Sequence, residues 1–293
     1  MTRLAAVIGH ADEADLLERC IRHHLDAGID RIFVSLNVDD ADSERVARAY
    51  EHTGRVRVAR LATFAADPFH HFTAAKDQVV AWCDAQWILF VDSDEFWVSR
   101  TASIADASDL DDDADLVDVP MFQALPLRAA DGTVRELALS DPASLPIVAQ
   151  ANADADMLRN DPELAPFTSW PTKVLVRPAF VAEVGRGAHQ VASVIGTPRQ
   201  RAASDLAIVH VPFTTRERFA RKLRRVRIRL ATYDDRFGPN QAWHWRRWLA
   251  LEDAGEIDAE FERNTFREDR VPELVAAGVI TTAARRFAAM RAA

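Results

Sequence analysis

The chain has 293 residues, of which 48% are hydrophobic and 28% are charged. That hydrophobic share is ample for a buried core, so a mainly disordered chain is excluded. The 36 basic and 45 acidic residues give a net charge of −9, which disfavours a surface that binds nucleic acid over its whole extent. A polyanionic partner would have to meet a local basic patch.

The two cysteines and the apolar segments predict where the protein resides. Cys20 and Cys83 lie far apart in segments that predict helices, which argues against a disulfide framework and for a reducing compartment. The longest apolar runs, such as 87–91, are far shorter than the roughly 20 residues that span a bilayer. The apolar segment 4–8 is also too short for the core of a signal peptide. We therefore expect a cytoplasmic protein with no nucleic-acid partner.

Short apolar segments alternate with amphipathic ones through the first third of the chain. Gly28 and Gly54 follow two of the amphipathic segments, as glycines at helix ends often do. The alternation predicts a mainly parallel sheet with helices on both faces. The predicted strands cover 4–8, 31–36, 56–59 and 87–91, and the predicted helices cover 12–27, 42–52 and 73–84.

The pattern changes after residue 100. An acidic stretch at 109–115 is typical of a solvated surface loop. Strands are predicted at 116–119 and 173–177, and the long segment of weak periodicity between them is the kind of insertion that is usually functional. A last strand is predicted at 208–212. We expect an α/β catalytic domain over 1–213 and a helical C-terminal extension over 214–293.

The predicted strand 87–91 ends in a run of acidic residues. In extended backbone, residues two apart point to the same side, which would bring Asp92 and Asp94 together and turn Glu95 away. Ligands of open α/β sheets bind at this end of the strands. Two carboxylates there would repel each other, and a divalent cation with substrate phosphates in its shell would relieve that repulsion. The plainer alternative is a helix N-cap at a strand-to-helix turn.

The acidic segment also resembles a known family signature. Phe90-Val91-Asp92-Ser93-Asp94-Glu95-Phe96-Trp97 is similar to the Asp-x-Asp-Glu-Phe signature of family-2-like glycosyltransferases with the GT-A fold, a Rossmann-like α/β fold. Three upstream segments are similar to that family as well: Asp12-Glu13, His23-His24 with Gly28-Ile29-Asp30, and Asn37-Val38-Asp39. The resemblance covers about the first third of the chain. One departure is His10-Ala11, where the family more often has a Lys or Arg followed by Asn.

The resemblance implies a metal-dependent and inverting glycosyltransferase. Its donor would be a nucleotide-diphosphate sugar, with UDP-sugars favoured, and its acceptor a hydroxyl group of a glycan or another molecule. Asp92 and Asp94 would hold Mn²⁺ or Mg²⁺, and His189 or His210 would add a ligand or line the diphosphate site, since imidazole suits Mn²⁺ better than Mg²⁺. We expect His189 to bind the metal and His210 to act in catalysis. The expected nucleotide contacts are Asp12, Glu13, Asn37, Asp39, Lys76 and Gln78.

The segment 216–229 holds eight basic residues and one acidic residue, Glu217. Apolar residues recur along one side of it, from Phe219 to Leu230, and predict an amphipathic helix with a basic exposed side. Such charge usually serves solvation. It could also bind a diphosphate, an anionic acceptor or the headgroups of a membrane. Trp170, earlier in the chain, either stacks on an acceptor sugar or packs in the core.

Other functions fit the sequence less well. Phosphatases of the haloacid-dehalogenase type also have an apolar strand followed by Asp-x-Asp, but Phe96 stands where they need Thr or Val. A protein that kept the fold and lost catalysis could bind an anionic partner through the basic helix. A dinucleotide-binding oxidoreductase is disfavoured because no G-x-G-x-x-G follows a strand. A calcium loop of the EF-hand type is disfavoured because Trp97 replaces the glycine of its sharp turn.

Overall fold

A computed structural model describes residues 2–10, 14–36, 40–61, 70–101, 103–111, 113–237 and 242–290 of the chain. The strands are β1 (Thr2–His10), β2 (Arg31–Leu36), β3 (Val56–Arg60), β4 (Ala85–Asp92), β5 (Glu95–Ser99), β6 (Leu116–Val119), β7 (Met121–Gln123), β8 (Leu127–Arg128), β9 (Val134–Arg135), β10 (Pro146–Val148), β11 (Lys173–Val176), β12 (Val181–Val184), β13 (Val191–Val194), β14 (Gln200–Ala202), β15 (Leu206–His210), β16 (Phe266–Arg267) and β17 (Ile280–Thr282). The helices are α1 (Ala14–Asp26), α2 (Ala41–Arg48), α3 (His71–Trp82), α4 (Ala155–Asn160), α5 (Arg216–Tyr233), α6 (Trp243–Asp253), α7 (Ile257–Arg263), α8 (Val271–Ala276) and α9 (Ala283–Met290).

The central sheet has the strand order β14-β6-β11-β4-β1-β2-β3 in the described part of the chain. Its half from β3 to β4 is parallel throughout. β11 runs antiparallel to both of its neighbours, β4 and β6. The predicted α/β fold with a mainly parallel sheet is confirmed.

The apolar strands β1 and β4 lie in the middle of this sheet and are covered on both faces. Leu4, Ala6 and Ile8 pack with Leu17 and Ile21 of α1 on one face. The alternate residues of β1, Ala5 and Val7, pack on the other face with Phe72, Ala75 and Val79 of α3. A strand buried on both faces has no need of polar alternation, which explains the continuous apolar runs in the sequence.

A second, three-stranded sheet begins where β4 ends. After a turn at Ser93–Asp94 the chain enters β5, which pairs antiparallel with β15, and β15 pairs parallel with β7. This register sets His210 opposite Glu95 on one side and beside Gln123 on the other. The sequence analysis weighed a turn here only as the start of a helix, whereas the turn leads into a strand.

The acidic stretch 109–115 is not simply a solvated loop. Asp111 and Asp113 are exposed, as predicted. Asp109 is completely buried and Asp115 nearly so, and both accept hydrogen bonds from backbone N–H groups in the segment 199–206. That segment lies about ninety residues further along the chain, so local composition does not reveal the pairing.

In its described residues, the segment after residue 214 contains two short strands besides its helices, so the expectation of an all-helical extension was wrong in part. β16 pairs with β8, and β17 pairs with β10, which ties this segment to earlier parts of the chain. Strands of two or three residues are too short to show a periodic pattern. How residues 1–213 and 214–293 divide into folding units stays a prediction. Within the described residues, no helix combines the length and apolar composition needed to cross a membrane.

α5 is the predicted basic amphipathic helix. The Thr215 side chain caps its start by accepting a hydrogen bond from the Arg218 backbone N–H. Its apolar stripe is buried as expected, at Phe219, Leu223, Val226 and Leu230.

Candidate functional site

The acidic residues after β4 are bound by two lysines from distant parts of the chain. Lys173 Nζ lies 2.9 Å from Asp92 Oδ2 and 2.6 Å from Glu95 Oε2. Lys173 opens β11, the antiparallel neighbour of β4, and its side chain is completely buried. The expectation that Glu95 turns away from Asp92 was therefore wrong. The turn at Ser93–Asp94 breaks the strand alternation on which that expectation depended.

Asp94 contacts a second set of partners. Its Oδ2 atom lies 2.8 Å from Lys222 Nζ on α5 and 3.6 Å from His210 Nε2 at the end of β15. The Val211 backbone N–H also donates to the Asp94 carbonyl at 2.9 Å. The end of β4, the end of β15 and the inner side of α5 therefore meet around this one carboxylate.

The charges of this group do not balance. Three carboxylates, those of Asp92, Asp94 and Glu95, face two ammonium groups. Burial and the charges of Asp92 and Asp94 raise the pKa of Glu95 to about 8, although Lys173 opposes the shift. Burial would also raise the pKa of Asp94, but Lys222 and His210 hold it well below its usual range. At pH 7 a proton on Glu95 therefore leaves two carboxylates, those of Asp92 and Asp94, facing the two lysines.

Three histidines lie near this group and are neutral at pH 7. Burial, with the charge of Lys173, lowers the pKa of His189 to about 4. Burial, with Lys222 and the neighbouring histidines, lowers the pKa of His244 to about 3. Burial also lowers the pKa of His210, although Asp94 opposes that shift. Neutral imidazole rings can accept protons or bind metal ions.

The two predicted histidines differ in what they contact. His189 Nδ1 lies 3.0 Å from the Thr172 carbonyl oxygen, so the ring donates there and presents Nε2. His210 Nδ1 is buried and has no hydrogen-bond partner in the described structure. The Trp170 ring meets His210 edge to face, with 4.6 Å between centroids, and its indole N–H donates to Gln123. Trp170 thus packs directly behind the site.

A tight loop positions His189. Gly187 has a left-handed φ of +64°, and a Cβ there would lie 2.7 Å from the His189 ring. A Cβ at Gly185 would lie 2.8 Å from the Gln190 carbonyl oxygen. Ala188, between Gly187 and His189, also has a left-handed φ, of +53°, which a residue with a Cβ seldom adopts. The glycines allow this loop to fold back towards the acidic group.

The predicted nucleotide contacts are placed only in part. Asp12, Glu13, Asn37 and Asp39 lie outside the described residues. Lys76 is buried and donates to the carbonyls of Val181 and Ala182, at 2.8 and 3.0 Å, so it ties α3 to β12. Gln78 is exposed on α3. Their roles towards a nucleotide stay predictions.

The predicted metal ligands do not form a three-residue site. Among the residues that the structure describes, no three His, Cys, Asp or Glu side chains converge to hold a metal ion. Asp92 and Asp94 nevertheless offer hard oxygen donors, and their lysine contacts use only Oδ2. These residues fit a cation that takes its other ligands from phosphate and water.

Several site residues were missed in the sequence. Lys173 was predicted only as the first residue of a strand, although a lysine at the start of an otherwise apolar strand is a signal for a buried charge. Lys222 was one basic residue among eight, but it borders the apolar stripe of α5 and so faces inward. The sequence does not indicate that His244 lies near the site, because its neighbours Trp243 and Trp245 predict only the packing of a helix.

Comparisons with known proteins give weak similarities. No family model and no curated protein matches the chain. S. aureus TarS with UDP-GlcNAc is 14% identical over 60% of this chain, which spans 46% of that TarS chain, with a TM-score of 0.36. TarS with UDP is 13% identical over 99% of this chain and 87% of its own, with a TM-score of 0.43. A Methanothermobacter nucleotidyl transferase is 15% identical over 43% of this chain and 63% of its own, with a TM-score of 0.25. Similarities of this strength do not decide the function, which depends on the residues of the site.

Proposed function

We propose that the protein is a glycosyltransferase that moves a sugar from a nucleotide-diphosphate donor, a UDP-sugar in the first instance, to an acceptor hydroxyl. The observation that supports this most is the placement of Asp92 and Asp94. They follow a central strand of a mainly parallel sheet, at the end where such sheets bind ligands. Lysines and histidines surround them. The motif resemblance of residues 90–97 to GT-A glycosyltransferases agrees with this placement.

Asp92 and Asp94 would hold Mn²⁺ or Mg²⁺, with His189 Nε2 as the candidate for a further ligand. Such a cation neutralises the charge that develops on a departing diphosphate. Lys173 keeps Asp92 and Glu95 together and is itself completely buried, so it acts on the position of Asp92. Lys222, one-fifth exposed, is the ammonium group that a phosphate can reach.

His210 is the proposed general base. Its ring is neutral because burial lowers its pKa, and Asp94 lies beside Nε2, so the proton of the ring belongs on that nitrogen. Nδ1 then has the lone pair, and because this atom is buried, the proposed role requires the residues that cover it to move when the acceptor hydroxyl binds. Direct displacement by that hydroxyl inverts the anomeric centre. Trp170 lies against the same ring and offers an apolar surface beside the acceptor position.

Calorimetric titration of UDP in the presence of MnCl₂ tests the donor site. We expect metal-dependent binding by the wild-type chain, weakened by about tenfold or more, or at least about 1.4 kcal/mol, in Asp92→Asn and in Asp94→Asn. Asp113→Asn is the matched control, because Asp113 is exposed and, among the described residues, pairs with the surface residue Arg199. It should bind UDP as the wild type does.

Two results would overturn the proposal. The first is no binding of UDP or of other nucleoside diphosphates by the wild-type chain, with or without metal. The second is equal affinity in Asp92→Asn, Asp94→Asn and Asp113→Asn. Circular dichroism on each variant separates lost binding from lost folding.

A further inference from the structure

A cleft between the starts of α1 and α5 has the size of a ligand site, and we call it the α1–α5 cleft. Its volume is about 300 Å³, at the lower end of the range of small-molecule pockets. The cavity that Trp170 lines measures only about 10 Å³, about the room of one water molecule. The α1–α5 cleft is lined by polar side chains: Asp15, Glu136, Thr215, Glu217, Arg218 and Arg221.

Two contacts place the α1–α5 cleft beside the acidic group. Arg218 lies one helical turn before Lys222 on the same side of α5, about 6 Å along the helix axis. Lys222 Nζ lies 2.8 Å from Asp94 Oδ2. On the other wall, Leu16 follows the lining residue of α1 and packs in one apolar cluster with Phe96 of β5. A molecule in the cleft therefore lies next to the proposed donor site.

The charged side chains of the α1–α5 cleft pair with one another. Arg218 is nine-tenths buried and faces two of the carboxylates. The ion pairs are Arg218 with Asp15 and Glu136, Arg221 with Glu217, and Arg19 with Glu136. Among these described residues, three guanidinium groups balance three carboxylates. The lining therefore has no excess charge that would select a phosphate or an ammonium group.

The same kind of pairing reduces the charge of the whole basic helix. At least five of the eight basic residues in 216–229 have carboxylate partners, which offsets much of the charge that an anionic acceptor would need. Besides Arg218 and Arg221, they are Arg216 with Asp258 and Glu262, Lys222 with Asp94, and Arg227 with Glu252 and Asp253.

We propose that the α1–α5 cleft binds the acceptor and that the acceptor is an uncharged sugar. A sugar hydroxyl both donates and accepts hydrogen bonds, so it matches a lining in which carboxylates accept and guanidinium groups donate. The carboxylates of Asp15 and Glu136 are about half exposed and Arg221 is about one-third exposed, so a ligand can reach them. The role of the sugar as acceptor rests on the proposed function; its binding in the cleft does not.

Saturation-transfer NMR on the full chain tests the cleft with named saccharides. The neutral probes are maltose, cellobiose, lactose and diacetylchitobiose, and the charged probe is glucuronic acid. We expect the wild type to bind at least one neutral probe and to bind glucuronic acid more weakly, because the lining has no excess positive charge.

Glu136→Ala and Arg221→Ala should each weaken the binding of that neutral probe by about tenfold, because each removes an ionised hydrogen-bond partner. Glu268→Ala and Arg224→Ala are the matched controls. Glu268 pairs with Arg135 outside the cleft, and Arg224 is exposed on the same helix as Arg221. Both controls should bind the probe as the wild type does, and all four variants should keep the wild-type affinity for UDP.

Three results would overturn the sugar site: binding of no neutral probe by the wild type, binding of glucuronic acid alone, or equal affinity for the neutral probe in all four variants. The proposed function fails separately. If the wild type binds a neutral probe through Glu136 and Arg221 but binds no nucleoside diphosphate, the sugar site stands and the glycosyltransferase proposal fails. If Asp92→Asn and Asp94→Asn lose UDP binding while no neutral probe binds, the donor site stands and the sugar site is overturned.

Discussion

Two acidic regions of the chain, 92–95 and 109–115, have similar composition and very different surroundings. Asp109 accepts hydrogen bonds from the backbone N–H groups of Ser204, Asp205 and Leu206 at 2.9 to 3.0 Å, and pairs with Arg201. Asp92 and Asp94 are held instead by lysine ammonium groups on long side chains. Backbone donors are fixed in place, whereas a lysine can exchange a carboxylate for a phosphate. The same residue type therefore stabilises the fold in one region and, in the proposed function, binds a ligand in the other.

The largest difference between the two regions should appear in stability. Asp109→Ala removes the acceptor of three backbone N–H groups and one ion-pair partner of Arg201, and we expect it to lower the free energy of unfolding by about 3 to 5 kcal/mol. Asp92→Asn should lower it by less than about 1 kcal/mol, because Lys173 keeps its contact with Glu95. Urea denaturation of both variants measures these values. Equal losses in the two variants would remove the distinction between the regions.

A smaller difference concerns pH. His24 is buried beside β5, the strand that follows the region 92–95, and its Nε2 accepts a hydrogen bond from the Trp97 backbone N–H at 3.4 Å. The region 109–115 contains no histidine. Burial and the nearby His23 lower the pKa of His24 from 6.5 to about 3. The unfolded chain takes up this proton first, so the contribution of His24 to stability is complete above pH 6.5 and is lost as pH falls towards 3.

The variant His24→Asn isolates this effect. Between pH 7.5 and 5.5, the fall in unfolding free energy should be smaller in His24→Asn than in the wild type by about 1 kcal/mol. Urea titrations at the two pH values give the comparison, and the difference between the two proteins cancels the contributions of the other titrating groups. Parallel pH profiles would show that His24 is protonated equally in the folded and unfolded chains.

The parts of the site that sequence could predict are those set by local pattern. The apolar run of β4 and the acids that follow it are adjacent in the chain, so their place at the end of a central strand could be predicted. The partners of Asp94 come from His210 and Lys222, more than one hundred residues away. The place of Lys222 beside the apolar stripe of α5 indicates that it turns inward, but nothing local indicates that Asp94 is its partner.

Two errors have the same physical origin. Glu95 was expected to turn away because the prediction assumed extended backbone through Ser93. The chain instead turns at Ser93–Asp94, and a new strand begins at Glu95. The stretch 109–115 was expected to be solvated because it is acidic, whereas Asp109 is buried by donors from the segment 199–206. In both cases, contacts distant in sequence overrode a local preference. The predicted contacts at 12–13 and 37–39 lie outside the described residues.

Turnover of a nucleotide sugar is the most direct test of the central claim, that the region 92–95 is a donor site. The wild-type chain is incubated with a panel of nucleotide sugars, with MnCl₂ or with EDTA, and release of the nucleoside diphosphate is measured. We predict that at least one donor is consumed, and that EDTA and Asp92→Asn each reduce the rate by about a hundredfold, equivalent to about 2.7 kcal/mol. Asp113→Asn should match the wild type. Consumption of no donor, or an unchanged rate in Asp92→Asn, would contradict the assignment of this region.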